Sequence, residues 1–269
     1  MPYELDEVVA AVDDALAGWE DLADVLLADA STGWDTPTGC PGWSVRDVLA
    51  HVVGLESVLL GDPAPDAGEL AVGAPPHVRD ALGVLMESHV EARRSRDVGD
   101  VVAELHDVAA RRRAQVRGLT SLDDTLATPF GADQAAGRIL PIRVFDLHAH
   151  ELDVRRALAL PWRPDGAALS VLLDRVERGV AHQLSTALTD EDRAVALVAT
   201  DADWAFTVDL ADGSRGGRDA AAIAAATLAT TRDGIVALGC GRADAPTDIA
   251  VTGDTDLGVR VLADLGFTP

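Results

Sequence analysis

The chain contains no lysine: all 22 of its basic residues are arginine, set against 45 acidic ones, for a formal charge of −23. A negative excess of that size repels phosphate backbones and anionic lipid surfaces, which argues against non-specific binding to nucleic acid or membrane as a role. The missing lysine, beside abundant Ala, Val, Asp, Gly and Arg, reads as a GC-rich coding bias rather than as chemistry. Cysteine is scarce too. Cys40 and Cys240 stand far apart, which argues against a disulfide framework and suits a reducing compartment. No apolar run approaches the ~20 residues of a membrane span, and the N-terminal MPYELDEV has neither the basic nor the apolar region of a signal peptide. A cytoplasmic protein is expected.

What is present is ample apolar material: 48% of 269 residues, enough for two domains with buried cores. From Glu4 to Ala28, residues Val8, Val9, Val12, Leu16, Trp19, Leu22, Val25 and Leu26 recur by threes and fours, the period of an amphipathic helix. Ser31 to Trp43 then packs two prolines, three glycines and two tryptophans into thirteen residues, an ordered loop. Ser44 is the expected N-cap of a second helix, with Asp47 in the capping-box position. That helix runs to about Leu60 on a stripe of Val45, Val48, Leu49, Val52, Leu55 and Leu59. His51 sits at the stripe's edge, where a lone histidine is more often a hydrogen-bonded core residue than a ligand, and Glu56, on the stripe, is expected to be partly exposed, with a place behind a site as the alternative. Residues 61–76 read as a loop or flap, followed by helices over Val78–Arg94 and Val101–Leu119. The run Arg111-Arg112-Arg113 reads as a solvated helix face near a C-terminus.

After a turn-rich stretch, 120–137, comes the helix that organises the chain, about Arg138 to Leu158. One turn separates Asp146 from His150, with Arg143 and Asp153 beside them and Ile139, Ile142 and Ala149 along the same side. His148 points nearly the opposite way. A carboxylate and an imidazole next to apolar surface need a partner, and a divalent metal is a good one. An ordinary i,i+4 Asp–His ion pair explains the same spacing, and the helix alone does not choose between them. An antiparallel bundle over the first ~160 residues would bring a third ligand from a facing helix, and His51 is the candidate. Arg143 and Asp153 are then placed to polarise the site or to orient His150.

Pro161 to Asp165 reads as a hinge between domains 1–160 and 161–269. Beyond it come a helix from Gly166 to about Leu188, strands over Arg193–Thr200 and Trp204–Leu210, a third strand over Ala221–Thr230, a helix Arg232–Leu238, a strand Asp248–Thr252 and a closing helix Asp256–Leu265. The expected fold class is mainly α plus α+β: a helical bundle followed by a smaller α+β domain with a mostly antiparallel sheet.

The stretch Thr38-Gly39-Cys40-Pro41-Gly42-Trp43-Ser44 continuing to His51, and much later Asp146-x-x-x-His150-Glu151-Leu152-Asp153, resembles the mycothiol-dependent maleylpyruvate isomerase family. Its N-terminal domain is a DinB-like metal-binding four-helix bundle. The tail, with Leu238-Gly239-Cys240-Gly241-Arg242 and Val251-Thr252-Gly253-Asp254, resembles that family's sterol-carrier-like C-terminal domain. The resemblance implies that His51, Asp146 and His150 bind zinc or another divalent metal, and that mycothiol is the thiol cosubstrate. It also marks a departure, since family members with established isomerase activity usually carry glutamate where this chain has Asp146. Implied is a metal-activated thiolate that adds to a small electrophile, as an isomerase or an S-transferase. A metal-dependent hydrolase using bound water and a non-catalytic metal- or thiol-binding regulator are the alternatives. Arg242 is the candidate clamp for a substrate carboxylate, or else an ordinary helix C-terminal arginine. Cys40 and Cys240 are read as structural, Cys40 with a remote place in the site wall. Periodicity carries no information on assembly state.

Overall fold

The computed structural model describes residues 3–29, 33–66, 68, 70–128 and 132–268, without the side chains of 71 and 72; Ser31 and Thr32, where the expected loop begins, lie outside the described residues. The chain divides into two compact units, Met1–Leu172 and Leu173–Pro269.

In the first unit, α1 (Leu5–Ala28) opens with a reciprocal Glu4/Glu7 cap and buries Val8, Val12, Leu16, Trp19, Leu22 and Leu26 of the apolar stripe read from its sequence, whereas Val9 is half-buried and Val25 is exposed. Helix α2 (Val45–Leu59) starts where Ser44 N–H and Oγ both donate to Asp47 Oδ2, at 2.9 and 2.8 Å. A single helical turn, α3 (Leu70–Gly73), interrupts the stretch read as loop. Helix α4 (Ala81–Arg94) begins three residues later than its apolar period suggests, because the Asp80 carboxylate takes the Gly83 N–H at 2.8 Å and so sets the first turn. For the same reason α5 (Val98–Arg117) begins earlier than expected, at a cap formed by Asp97. Two short antiparallel strands, β1 (Thr125–Leu126) and β2 (Gln134–Ala135), lead into α6 (Ala136–Ala157). Pro141 falls in the second turn of α6, where it removes one intrahelical hydrogen bond without ending the helix.

Helix α1 packs on α5 and α6, and α2 packs on the same two, closing a four-helix bundle; α4 lies along α2. The core holds Leu16, Trp19, Leu49, Val52, Leu105 and Leu147. Trp19 Nε1 donates to the Leu147 carbonyl at 2.7 Å, which pins α1 against the turn of α6 that carries Asp146 and His150. Residues 160–166 form neither helix nor strand, and within them Arg163 Nη1 donates to Asp14 Oδ1 at 2.8 Å. The unit boundary falls inside α7 (Ala167–Ala187).

The second unit is built on a five-stranded sheet: β3 (Ala194–Ala199), β4 (Ala205–Asp209), β5 (Arg215–Gly217), β6 (Ala226–Thr230) and β7 (Ala250–Gly253), in spatial order β5-β4-β3-β6-β7. Neighbours are antiparallel except β3 and β6, which run parallel. Leu197, Phe206 and Leu228 are buried in it, and α8 (Arg232–Gly239) and α9 (Thr255–Ala263) complete the unit. The mainly α bundle and the mostly antiparallel sheet agree with the class read from sequence. Two details differ. Residues 221–223, the start of the third expected strand, lie in a 3-10 helix (Arg218–Ile223) and the strand β6 begins only at Ala226, and β5, whose Arg-Gly-Gly carries no alternating pattern, was not legible. Among the described residues, no helix is long and apolar enough to cross a membrane.

Candidate metal centre

The loop before α2 is shaped by hydrogen bonds from Trp43 N–H to Cys40 O at 3.1 Å and from Thr38 N–H to Trp43 O at 2.9 Å. Gly42 adopts φ +80°, and a Cβ there would come within 2.4 Å of the His77 ring, so the turn needs glycine twice over. It delivers the Cys40 thiol and the Trp43 indole to the start of α2. One turn and a half further on, α2 presents His51.

His51 Nε2 lies 3.4 Å from Asp146 Oδ2, and His150 Nε2 lies 3.8 Å from Asp146 Oδ1. The three residues' ligand atoms all lie within 4.8 Å of one another. Donors around a tetrahedral zinc, with bonds of about 2.0–2.1 Å, stand roughly 3.3–3.4 Å apart. The trio therefore fits such an ion with small side-chain adjustments. His51 and His150 meet edge to face, ring centroids 4.8 Å apart, and the Trp43 ring stands 4.8 Å from His51 and 6.0 Å from His150. Trp43 is fixed in turn: its Nε1 donates to Glu87 Oε2 at 2.8 Å, while Arg94 Nη2 donates to Glu87 Oε1 at 2.9 Å. Both histidines are buried, but the Asp146 side chain keeps 27% of its surface exposed. Solvent reaches the trio from the Asp146 side.

Behind the trio lie two sets of supporting groups. His150 Nδ1 is 2.9 Å from Asp153 Oδ2, and that same oxygen accepts from Cys40 Sγ at 3.1 Å; Asp153 Oδ1 is held by Arg156. On the other side, Arg143 Nη1 donates to Asp146 Oδ2 at 2.6 Å, and its Nε and Nη2 donate to Glu56 Oε1 at 3.0 and 2.8 Å. Arg112 Nε completes the chain with a 2.6 Å bond to Glu56 Oε2. Burial alone would raise the Asp146 carboxyl, but Arg143, followed by His150 and His51, holds it well below the usual carboxylate range. Glu56 is likewise pushed up by burial and brought down further by Arg112 and Arg143. Burial lowers His51, outweighing the pull of Asp146. At neutral pH the acid is ionised and this imidazole neutral, the protonation states a metal requires of its ligands.

Residues 15–155 match the family described as the mycothiol maleylpyruvate isomerase N-terminal domain. The chain belongs to that family. Two solved structures of a mycothiol-dependent maleylpyruvate isomerase, one of them a histidine-to-alanine mutant, superpose with TM-scores of 0.59 and 0.58 at 12% and 13% identity, over 93% of this chain and 93% of theirs. At that identity they show a shared fold. Among curated proteins, none matches.

In this family member the structure brings His51, Asp146 and His150 together and places Arg143 and Asp153 directly behind them. His148 is buried away from the trio, its ring centroid 6.3 Å from that of Trp162. Arg242 lies in the second unit at the end of α8, where Nη1 donates to the Cys240 carbonyl at 3.1 Å. Two expectations are corrected. Glu56 is 1% exposed rather than partly exposed, because two guanidinium groups converge on it. Arg112 is buried, while Arg111, Arg113 and Arg117 reach surface carboxylates at Asp62, Glu20 and Asp13. The signal was available: Arg112 continues the stripe Leu105, Val108, Ala109 and Val116. Cys40, read as structural, stands 3.8 Å from His150 Nδ1 and forms with His150 and Asp153 a second group of donors, already hydrogen-bonded among themselves.

Two expected results arise here. Asp153→Asn removes the acceptor that fixes the proton on His150 Nδ1, and should weaken zinc binding by about 10–100-fold with the fold intact, read by competition with a chromophoric chelator. His89 was not singled out from sequence; it is buried on α4 against Gly54, and its Nε2 has no hydrogen-bond partner among the described residues. Burial, then Arg93 and His51, push it down from 6.5 to about 4. Between those values the unfolded chain takes up the proton and the folded one does not, so stability falls as pH drops through that window. The loss from this one group is roughly 3 kcal/mol. Denaturant unfolding of the wild type and of His89→Gln across pH 4–7 should show a shallower slope in the variant; equal slopes would contradict the assignment.

Proposed function

We propose that the chain is a zinc-dependent enzyme that uses mycothiol to attack a small electrophile, as an isomerase or an S-transferase. The observation that carries this reading is the spacing of the three ligand atoms, which suits one tetrahedral ion and, with three protein donors, leaves a place for an exogenous thiol. The two solved relatives are mycothiol-dependent isomerases of maleylpyruvate, which supports the choice of cosubstrate. His51, Asp146 and His150 would hold the metal, which when bound supplies a Lewis acid that keeps a coordinated thiol deprotonated at neutral pH.

The remaining work falls to the protein's own groups. Trp43 walls the two imidazoles off from water on one side, which strengthens electrostatic interactions within. Asp153 holds the proton on His150 Nδ1, so Nε2 keeps its lone pair toward the site. Arg143 keeps Asp146 ionised and oriented. The mycothiol sulfur adds to an activated double bond. For isomerisation the adduct turns about the new single bond and expels the thiolate; for transfer the carbon takes a proton and the thioether leaves. Purified protein should convert maleylpyruvate or another activated alkene only when both zinc and mycothiol are supplied. Turnover without thiol would favour water as nucleophile, and no turnover of a broad electrophile panel would favour a regulator.

A further inference from the structure

From Ala136 to Val154, α6 is buried at every position but three: Arg138, Ile142 and Asp146. They are spaced by four, so they form one narrow stripe of solvent contact that ends at a proposed metal ligand. The stripe changes character along its length. At its far end Arg138 is exposed and, among the described residues, holds no carboxylate or carbonyl. Among the described arginines of the first unit it shares that condition with Arg79 alone, in a chain where Arg143 is engaged by Glu56 and Asp146 and Arg112 by Glu56 and Gln115. In the middle, Ile142 leaves 38% of its surface in water. Beside it Leu55, Leu59 and Ile139 pack as a small apolar cluster of their own, separate from the bundle core, with Met86 against them. Leu55 is one turn from His51, so this cluster adjoins the metal ligands.

Resting on the proposed function, we infer that this stripe is the electrophile's binding groove and that its substrate carries a carboxylate at the far end of an apolar segment, with Arg138 as the specificity-determining cation. Eight residues of helix separate Arg138 from Asp146, about 12 Å at 1.5 Å per residue. The reactive carbon would lie by Asp146, the hydrocarbon over Ile142 and the Leu55–Ile139 cluster, and the anion at Arg138. The cationic groups nearer the metal ligands already have partners, so an anion placed close to the reactive carbon would find no arginine in this unit to meet it. A guanidinium without an internal partner on so acidic a protein is instead free to pair with a carboxylate.

The test is isothermal titration of zinc-loaded protein with octanoate, octanamide and acetate. Octanoate should bind the wild type more tightly than either comparator. Arg138→Gln should weaken octanoate by about threefold to fivefold and leave octanamide unchanged, whereas Arg79→Gln, the same loss of charge on the other unpaired arginine, should change neither. Among the described residues the Arg138 side chain has no hydrogen bond or ion pair, so thermal unfolding of its variant should match the wild type. The inference is overturned if octanoate does not bind, if acid and amide respond alike to Arg138→Gln, or if Arg79→Gln matches its effect. Failure of the proposed function is a different result, namely no zinc bound or no response to mycothiol, and is read in separate titrations.

Discussion

Glu56→Ala should destabilise the bundle by about 3–5 kcal/mol, read by urea unfolding with a chelator present so that metal binding does not mask the effect. Among the described residues, the Glu56 carboxylate alone joins Arg112 on α5 to Arg143 on α6, with Nε and Nη2 contacts of 2.6 to 3.0 Å. Both guanidinium groups are buried, and an arginine does not shed its charge at any accessible pH. Deleting Glu56 therefore leaves two cations out of water with Asp146 and Gln115 as their remaining side-chain partners. A surface pair would be worth under about 1 kcal/mol, so a loss that small would contradict the burial argument. The pH dependence has a definite sign. Glu56 is held below its unfolded value, so its contribution is complete above the ordinary glutamate range and is lost as pH falls through the lower folded value. The wild type should lose stability in acid more steeply than the variant.

His51→Ala and His150→Ala should each abolish stoichiometric zinc. A closed four-ligand structural site binds zinc with roughly 10–16 kcal/mol, so one ligand of a three-ligand set accounts for about 3 kcal/mol or more, a hundredfold or greater loss of affinity. Activity that depends on the metal should fall with it. Both substitutions also remove a buried imidazole beside Trp43, which leaves a small cavity. His51→Gln, which fills that space without an equivalent ligand, separates loss of metal from loss of packing: it should stay folded and remain metal-poor. Full zinc occupancy in either alanine variant would remove the site as drawn.

The bundle was readable because α1, α2 and α6 repeat apolar residues with the helical period, and α2 also opens on a recognisable cap at Ser44 and Asp47. The pairing of Asp146 with His150 follows from that period alone. Bringing His51 to them required knowing that α2 faces α6, which a bundle makes natural but a single sequence does not state. What supports the trio was harder to read. Glu56 and Arg112 each fall on an apolar stripe, which marks them for burial, but which buried charges pair across two helices has no sequence signature of its own. Cys40 reaches Asp153 only because Gly42 bends the loop back, a long-range contact spanning 113 positions. In the second unit, β3 and β4 were legible as apolar runs long enough to read as strands and are buried over most of their length, whereas three-residue β5 offered too few positions for any period.

The most direct test of the central claim is to replace the metal with cobalt(II) and titrate the protein with mycothiol. Three side chains holding one ion with a place left for sulfur should give one cobalt per chain and a thiolate-to-cobalt charge-transfer band that saturates at one equivalent of thiol. His51→Ala and His150→Ala should show neither. Cobalt that binds without the band, or a band that persists in both variants, would contradict the metal centre described here.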